Sequence, residues 1–521
     1  MPSSNEESEG FLGGHRLFFE EADRLWKKLK AEGEISRARQ VLERIRSGDA
    51  LLDEVPASKR KKLCQEEAML TSKDSELKAT MRHDRALKIL STGIDDLESA
   101  SLDGDAETLG IAGGIRKRRW SDLGQMEDLR KAARLYDRGA RNPLGYDAYT
   151  QINAAFVDDL LAHAGDDPDV RRARAAALRQ RILDELPPAA DVPPHCAWFN
   201  TASRAEAHFG LRQYAQATGV LRAFTAKPDP WELETTARQL AMLAHIHQDH
   251  PLDVPEIREF FEALLPGAAH AARSAMIGKV GLALSGGGFR ASFYHLGVLA
   301  RLAELNVLRH VDVLSCVSGG SIVGACYWLA LRRRMLDSRP LERQDYVDIV
   351  NEIIQHFTEA VAGNLREAVQ PSWPSVVKRL LWNNHKGAMD PELTAEQLEK
   401  RFYEKLIDTE PPVYMHDLPF TPGDHNPALA GPGDFHPGKH NWLRANKVPV
   451  LVLNATSVNT GHAWQFTPTW MGESPWAVHE EADSIPRLEW SWYHRDEGWS
   501  MQLARAVAAS ASVPGVFAPL E

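Results

Sequence analysis

Two short apolar runs, each broken off by glycine and each followed by a helical pattern, constrain the fold of this chain more than any other feature. The first, Lys279-Val280-Gly281-Leu282-Ala283-Leu284, stops at Ser285-Gly286-Gly287-Gly288-Phe289-Arg290, after which Val298, Leu299, Leu302 and Leu305 fall on one side of a helix. The second, Val311 to Val317, stops at Ser318-Gly319-Gly320-Ser321 and gives way to an apolar helix from Ile322 to Leu331. Each unit reads as strand, tight turn, helix. A third buried-strand pattern, Val450 to Ser457, is followed by a turn at Asn459-Thr460-Gly461-His462. Strands alternating with helices predict an α/β domain, which begins near Ile277 after the Pro266-Gly267-Ala268-Ala269 junction.

Glycine loops of this kind have several uses. Without Cβ atoms, successive N–H groups can converge, and the following helix start adds unpaired donors and a positive dipole end. A P-loop needs Gly-Lys-Ser/Thr, whereas this loop continues Gly288-Phe289-Arg290-Ala291, and Ala291 stands where a dinucleotide fingerprint has its last glycine. The second turn is more telling. Cys316-Val317-Ser318-Gly319-Gly320 follows the G-x-S-x-G elbow except at its first position, and small residues around the serine permit a sharp turn that exposes its hydroxyl at the strand end. Ser318 is therefore the candidate nucleophile, with Cys316, Val317, Gly319 and Gly320 forming its elbow. Its neighbours Ser315 and Ser321 fall within the strand and at the helix start, where capping is the ordinary role.

Leu284 to Ala291, His295-Leu296-Gly297-Val298-Leu299 and Ser315 to Gly324, taken in order, resemble the patatin-like phospholipase family over about Lys279 to the C-terminus. The resemblance implies a three-layer α/β patatin-like hydrolase domain, preceded by an all-α helical-repeat region, with acyl transfer from a lipid ester to Ser318 followed by hydrolysis. The backbone N–H groups of Gly286, Gly287 and Gly288 would form the oxyanion hole. Losing one such donor typically costs about 3–4 kcal/mol of barrier. Arg290 would either meet a head-group phosphate through its planar fork or form a surface salt bridge. The family's serine works with an aspartate of an Asp-Gly-Gly or Asp-Gly-Ala motif. The sequence reaches the small-residue segment that precedes that motif, Ala506 to Pro519, and then ends at Glu521; Asp424 and Asp434 follow glycine instead of preceding it. The expectation is that the dyad aspartate lies outside this chain, so that the chain alone has little hydrolase activity. No metal or cofactor is called for.

The first half reads differently. Residues 1–13 are polar and acidic and predict a disordered tail; 14–114 is a helical region rich in Lys, Arg, Glu, Leu and Ala, with Leu25, Leu29, Val41, Leu42 and Ile45 at helical spacing. Its end, Ser101 to Gly114, reads as a loop because Asp-Gly and Gly-Gly pairs favour turns. Residues 115–266 carry Ala205-x-x-x-Phe209-Gly210-x-x-x-Tyr214-x-x-Ala217, a helical-hairpin signal in which Gly closes one helix and Ala lets the next pack. This stretch resembles tetratricopeptide repeats and the helical region called the TRAFs-binding domain. Stacked-helix core positions and a peptide-binding groove both fit it.

Composition narrows the partners. Lys and Arg number 61 against 72 Asp and Glu, a net charge of −11 that leaves no global basic field for nucleic acid. Cys64, Cys196, Cys316 and Cys326 form no C-x-x-C pair and predict a reducing compartment. No signal peptide and no run of eighteen apolar residues is present, so the expectation is a cytoplasmic protein, peripheral at membranes, acting on a phospholipid or other lipid ester and holding a protein partner through its repeats. The rival is an inactive hydrolase domain in a helical-repeat scaffold. Seven tryptophans between Trp442 and Trp499 fit core packing or a lipid interface. His425, His436 and His440 match no helical zinc spacing, and the loop from Pro419 to His440 reads as a surface loop or lid.

Overall fold

The computed structural model describes residues 4–48, 50–74, 77–93, 105–337, 339–362, 391–407, 410–426, 435–473, 491–492 and 501–512. Asp434, Trp476, Trp490, Trp499, residues 101–104 and the end of the small-residue segment from Val513 lie outside these, as does the side chain of Trp492. The chain divides into two compact units, Met1–Leu264 and Leu265–Glu521.

The N-terminal unit is built of helices: α1 Ser4–Leu12, α2 Phe19–Ala31, α3 Ile35–Ser47, α4 Ala57–Lys73, α5 Ala79–Gly93, α6 Ala106–Leu123, α7 Met126–Ala140, α8 Tyr149–His163, α9 Pro168–Glu185, α10 Pro194–Gly210, α11 Tyr214–Ala223, α12 Pro230–His247 and α13 Pro255–Leu264. Successive helices pack on one another, α6 on α7 and α8 on α9 among them. This is the stacking by which repeats bury apolar faces that none could cover alone. In the hairpin motif, Ala205, Phe209 and Ala217 are all fully buried, and Phe209 packs edge-on against Tyr214.

Two expectations for this unit need correction. Residues 4–12 are helical, and Phe11 is buried with Phe19, Trp26 and Leu42, so one aromatic anchor holds down a segment whose polar composition suggested a tail. The stretch expected as a loop is helix from Ala106 onward, with Asp105 accepting from the Thr108 N–H as its N-cap. Its glycines serve close approach instead of turning. A Cβ on Gly110 would lie 2.4 Å from Tyr149 Cε1, and one on Gly113 would lie 3.0 Å from the Tyr136 ring. The hydrophobic effect outweighs the poor helix propensity of glycine, because the gap lets two tyrosines pack onto the backbone.

The C-terminal unit contains a mixed sheet in the order β1 Val280–Leu284, β2 Val311–Val317, β3 Val450–Thr456, β4 Ala463–Phe466, β5 Trp470–Glu473, β6 Ser491–Trp492. The first three strands are parallel and the rest antiparallel. Its longer helices are α14 Ala271–Ile277, α15 Gly288–Glu304, α16 Gly319–Met335, α17 Arg343–Ala362, α18 Pro391–Leu398 and α19 Leu503–Ala511. Helix α16 is buried on nearly every side, as an apolar helix without a polar face must be, and packs on β1, β2 and β3. Leu284, Leu314, Cys316, Val323, Trp328, Leu451 and Val507 belong to one core around it. No helix among the described residues is long and apolar enough to cross a membrane.

Candidate active site

Because β1 and β2 are parallel neighbours with Leu284 opposite Cys316, the two turns that follow them leave the sheet at the same edge, where open parallel sheets place their ligand crevices. Ser318 occupies the turn between β2 and α16 with φ 52° and ψ −119°. A non-glycine residue there is strained by roughly 1–3 kcal/mol, and such strain persists only when its surroundings impose it. Ser318 is half-buried and Val317 beside it is 41% exposed, so the elbow is open to solvent.

Gly286, Gly287 and Gly288 are exposed, and the last two have positive φ, 138° and 62°. A Cβ on Gly286 would lie 3.1 Å from Ser318 Cβ, so the backbone of the first turn borders the serine of the second. The other elbow glycines are required by packing. A Cβ on Gly319 would meet the Gly288 carbonyl oxygen at 2.1 Å, and one on Gly320 would meet that of Leu284 at 2.3 Å. Missing side chains thus bring the start of α16 onto the glycine loop. Cys316 is fully buried, with its thiol pushed above the ordinary range by burial, which makes it a packing residue of the strand.

Several polar side chains hold the two turns together. The buried Ser292 hydroxyl donates to the Gly319 carbonyl at 2.8 Å, and His295 Nε2 lies 2.9 Å from the Ser285 carbonyl. Asn454 on β3 donates to Ser315 Oγ and to the Cys316 carbonyl, both at 3.0 Å. The most connected is Ser510 on α19. Its Oγ accepts from the Ser318 N–H at 3.0 Å, lies 2.8 Å from Ser321 Oγ, and donates to the Asn454 carbonyl at 2.6 Å. The alanines of α19, with Ala504, Ala506 and Ala508 all buried, let this helix come near enough for that reach. Ser321 is fully buried and engaged by Ser510, and Ser315 is engaged by Asn454, which leaves Ser318 as the accessible hydroxyl of the three.

His295 and Ser510 fall within the motif segments of the sequence without a role having been read for their side chains, and Ser292 falls between two of those segments. A signal existed for the last: Leu503, Val507 and Ser510 share one helix face, so a hydroxyl interrupts an apolar stripe.

Arg290 is exposed in the first turn of α15 and forms no ion pair among the described residues. His462 Nδ1 lies 2.8 Å from Glu473, tying the turn before β4 to β5, which is a structural use. His436 and His440 each accept a backbone N–H through Nδ1, from Gly438 and His436 respectively. Trp442 is buried, whereas Trp464 and Trp470 are half-buried.

Residues 282–521 match the model of the patatin-like phospholipase family, and residues 24–158 match that of the Tetratricopeptide Repeats-Sensor family. The second match takes in most of the region read only as helical and ends within the stretch read as repeats. No curated protein and no solved structure matches the chain. The chain carries a patatin-like phospholipase domain in its C-terminal half and tetratricopeptide-type repeats in its N-terminal half.

Proposed function

We propose that the C-terminal unit is a serine-dependent lipid acyl hydrolase in which Ser318 attacks the ester carbonyl and the amides of Gly286 to Gly288 receive the oxyanion. One observation carries this reading: Ser318 sits in a strained turn at the end of a parallel strand, with the Gly286 backbone against its Cβ. The tetrahedral intermediate puts negative charge where the reacting carbonyl oxygen lies. Preset N–H donors and the N-terminus of α16 are the groups that lower the cost of that charge.

A serine hydroxyl needs a base to take its proton. The family resemblance gives that role to an aspartate, and we assign it to no residue of this chain. Arg290, exposed in the first turn of α15, is the group we assign to a head-group phosphate. The enzyme would meet its lipid at a membrane surface from the cytoplasm, with the helical repeats engaging a protein partner.

A fluorophosphonate probe tests the reading. A version of the chain that also carries the family's Asp-Gly-Gly or Asp-Gly-Ala segment is expected to be labelled at Ser318, as located by peptide mapping, with labelling lost in Ser318→Ala while the circular dichroism is retained. Equal labelling of both proteins would refute it. A folded protein that carries that segment and still takes no label would favour the rival reading, an inactive hydrolase domain on a helical scaffold.

A further inference from the structure

A polar cavity of about 280 Å³ lies within the N-terminal unit, beyond the residues matched to the repeat family. Three arginines line it: Arg172 and Arg179 from α9, and Arg212 from the turn between α10 and α11. Asp159 is the one carboxylate in the lining, and it binds Arg179 through a single nitrogen, Nη2, at 2.5 Å. Arg179 is 2% exposed, and its Nε has no hydrogen-bond partner. A buried guanidinium with an idle donor is costly, since an unmatched buried donor loses its hydration without replacement.

Arg179 fits there because of Gly210. A Cβ at that position would lie 2.1 Å from Arg179 Nε and 2.3 Å from its Cζ. Gly210 closes α10 with an ordinary negative φ, while the positive φ of the turn falls on Arg212, at 62°. The glycine is thus needed to admit the arginine and serves no turn of its own. Arg212 is exposed and has no ion pair among the described residues, and Arg172 reaches only the fully exposed Asp169, at 3.6 Å. The remaining wall suits the body of a small organic molecule: His247 stacks on Phe209 at 5.6 Å with a 10° interplanar angle, and Ile246, Ala176 and His163 complete the lining. Burial, together with Arg212 and Arg179, lowers the His247 pKa to about 4, so its ring is an uncharged surface at neutral pH.

We propose that this cavity binds a small soluble phosphate-bearing anion, held by the guanidinium groups of Arg172, Arg179 and Arg212. Three arginines lining one cavity from two elements suit a phosphate, whose oxygens accept paired N–H groups. The cavity is larger than the phosphate alone requires, which leaves room for an ester substituent against His247.

Calorimetric titration of the 521-residue chain with inorganic pyrophosphate, at ionic strength matched by sodium chloride, tests the site. Saturable binding is expected, weakened at least about tenfold in R172Q/R212Q, because two of three charge-assisted contacts are lost. Both arginines are exposed and their removal leaves the core intact, so the double variant is expected to melt with the wild type when no ligand is present. Equal affinity in the two proteins, or no binding to either, would overturn the proposal. So would binding to vesicles containing phosphatidic acid without binding to pyrophosphate, which would make the source a lipid.

Discussion

At the scale of single residues, the candidate site depends on what is missing as much as on what is present. Gly286, Gly319 and Gly320 bring two turns into contact because none has a side chain to keep them apart. Ser510 then fixes the result through three hydrogen-bond partners: the elbow amide, the Ser321 hydroxyl and a strand carbonyl. Ser510→Ala is expected to lower stability by about 1–3 kcal/mol, because buried groups lose their partner. It should also slow fluorophosphonate labelling of Ser318, since the turn is no longer pinned. Chemical denaturation and labelling kinetics on the same preparation check both, and unchanged labelling would show that the hydroxyl serves stability alone. The glycine loop and the elbow were legible in the sequence because tight turns demand particular residue types at adjacent positions. Ser510 was not, because its partner Ser318 is 192 positions away and the pairing exists only once the sheet has formed.

At the scale of elements, the same residue type means different things in different company. Gly-Gly in Ser101 to Gly114 suggested a loop, yet Gly110, Gly113 and Gly114 lie inside α6 beneath Tyr136 and Tyr149. Propensity reads a glycine by its backbone freedom, whereas here its neighbour across the interface decides. The strands and helices around Ser318 were easier to read, because an apolar run ended by glycine is local information. Gly320→Ala should be among the most damaging single-methyl changes in the C-terminal unit. Its Cβ would meet backbone at 2.3 Å, 2.7 Å and 2.8 Å, from the Leu284 carbonyl oxygen and carbon and the Ser285 oxygen, none of which can rotate away. A loss of at least about 3 kcal/mol is expected, at the upper end of overpacking costs. A denaturant midpoint within error of the wild type would contradict this packing.

At the scale of the whole molecule, the net charge of −11 conceals buried ionic groups in the helical unit that composition cannot reveal. Lys117 donates to Asn153 and Gln239, both at 2.7 Å, and Gln239 in turn donates to Glu206. Burial raises the Glu206 carboxyl to about 7 and lowers the Lys117 ammonium to about 8. Between the ordinary glutamate value and about pH 7, the folded chain keeps a proton that the unfolded chain has released, so stability falls as pH rises through that window. Above about pH 8 the unfolded chain holds the extra proton, on Lys117, and stability recovers with rising pH. Melting temperatures from pH 5 to 7 should therefore drop more in the wild type than in Glu206→Gln; parallel curves would contradict it.

The backbone at residue 318 has one more implication. Glycine would adopt φ 52° and ψ −119° at ease, whereas any side chain there pays in conformational energy. Evolving this domain in the laboratory for heat tolerance alone should thus enrich glycine at 318 and extinguish the very chemistry proposed for it, so durability and reactivity would compete for a single codon.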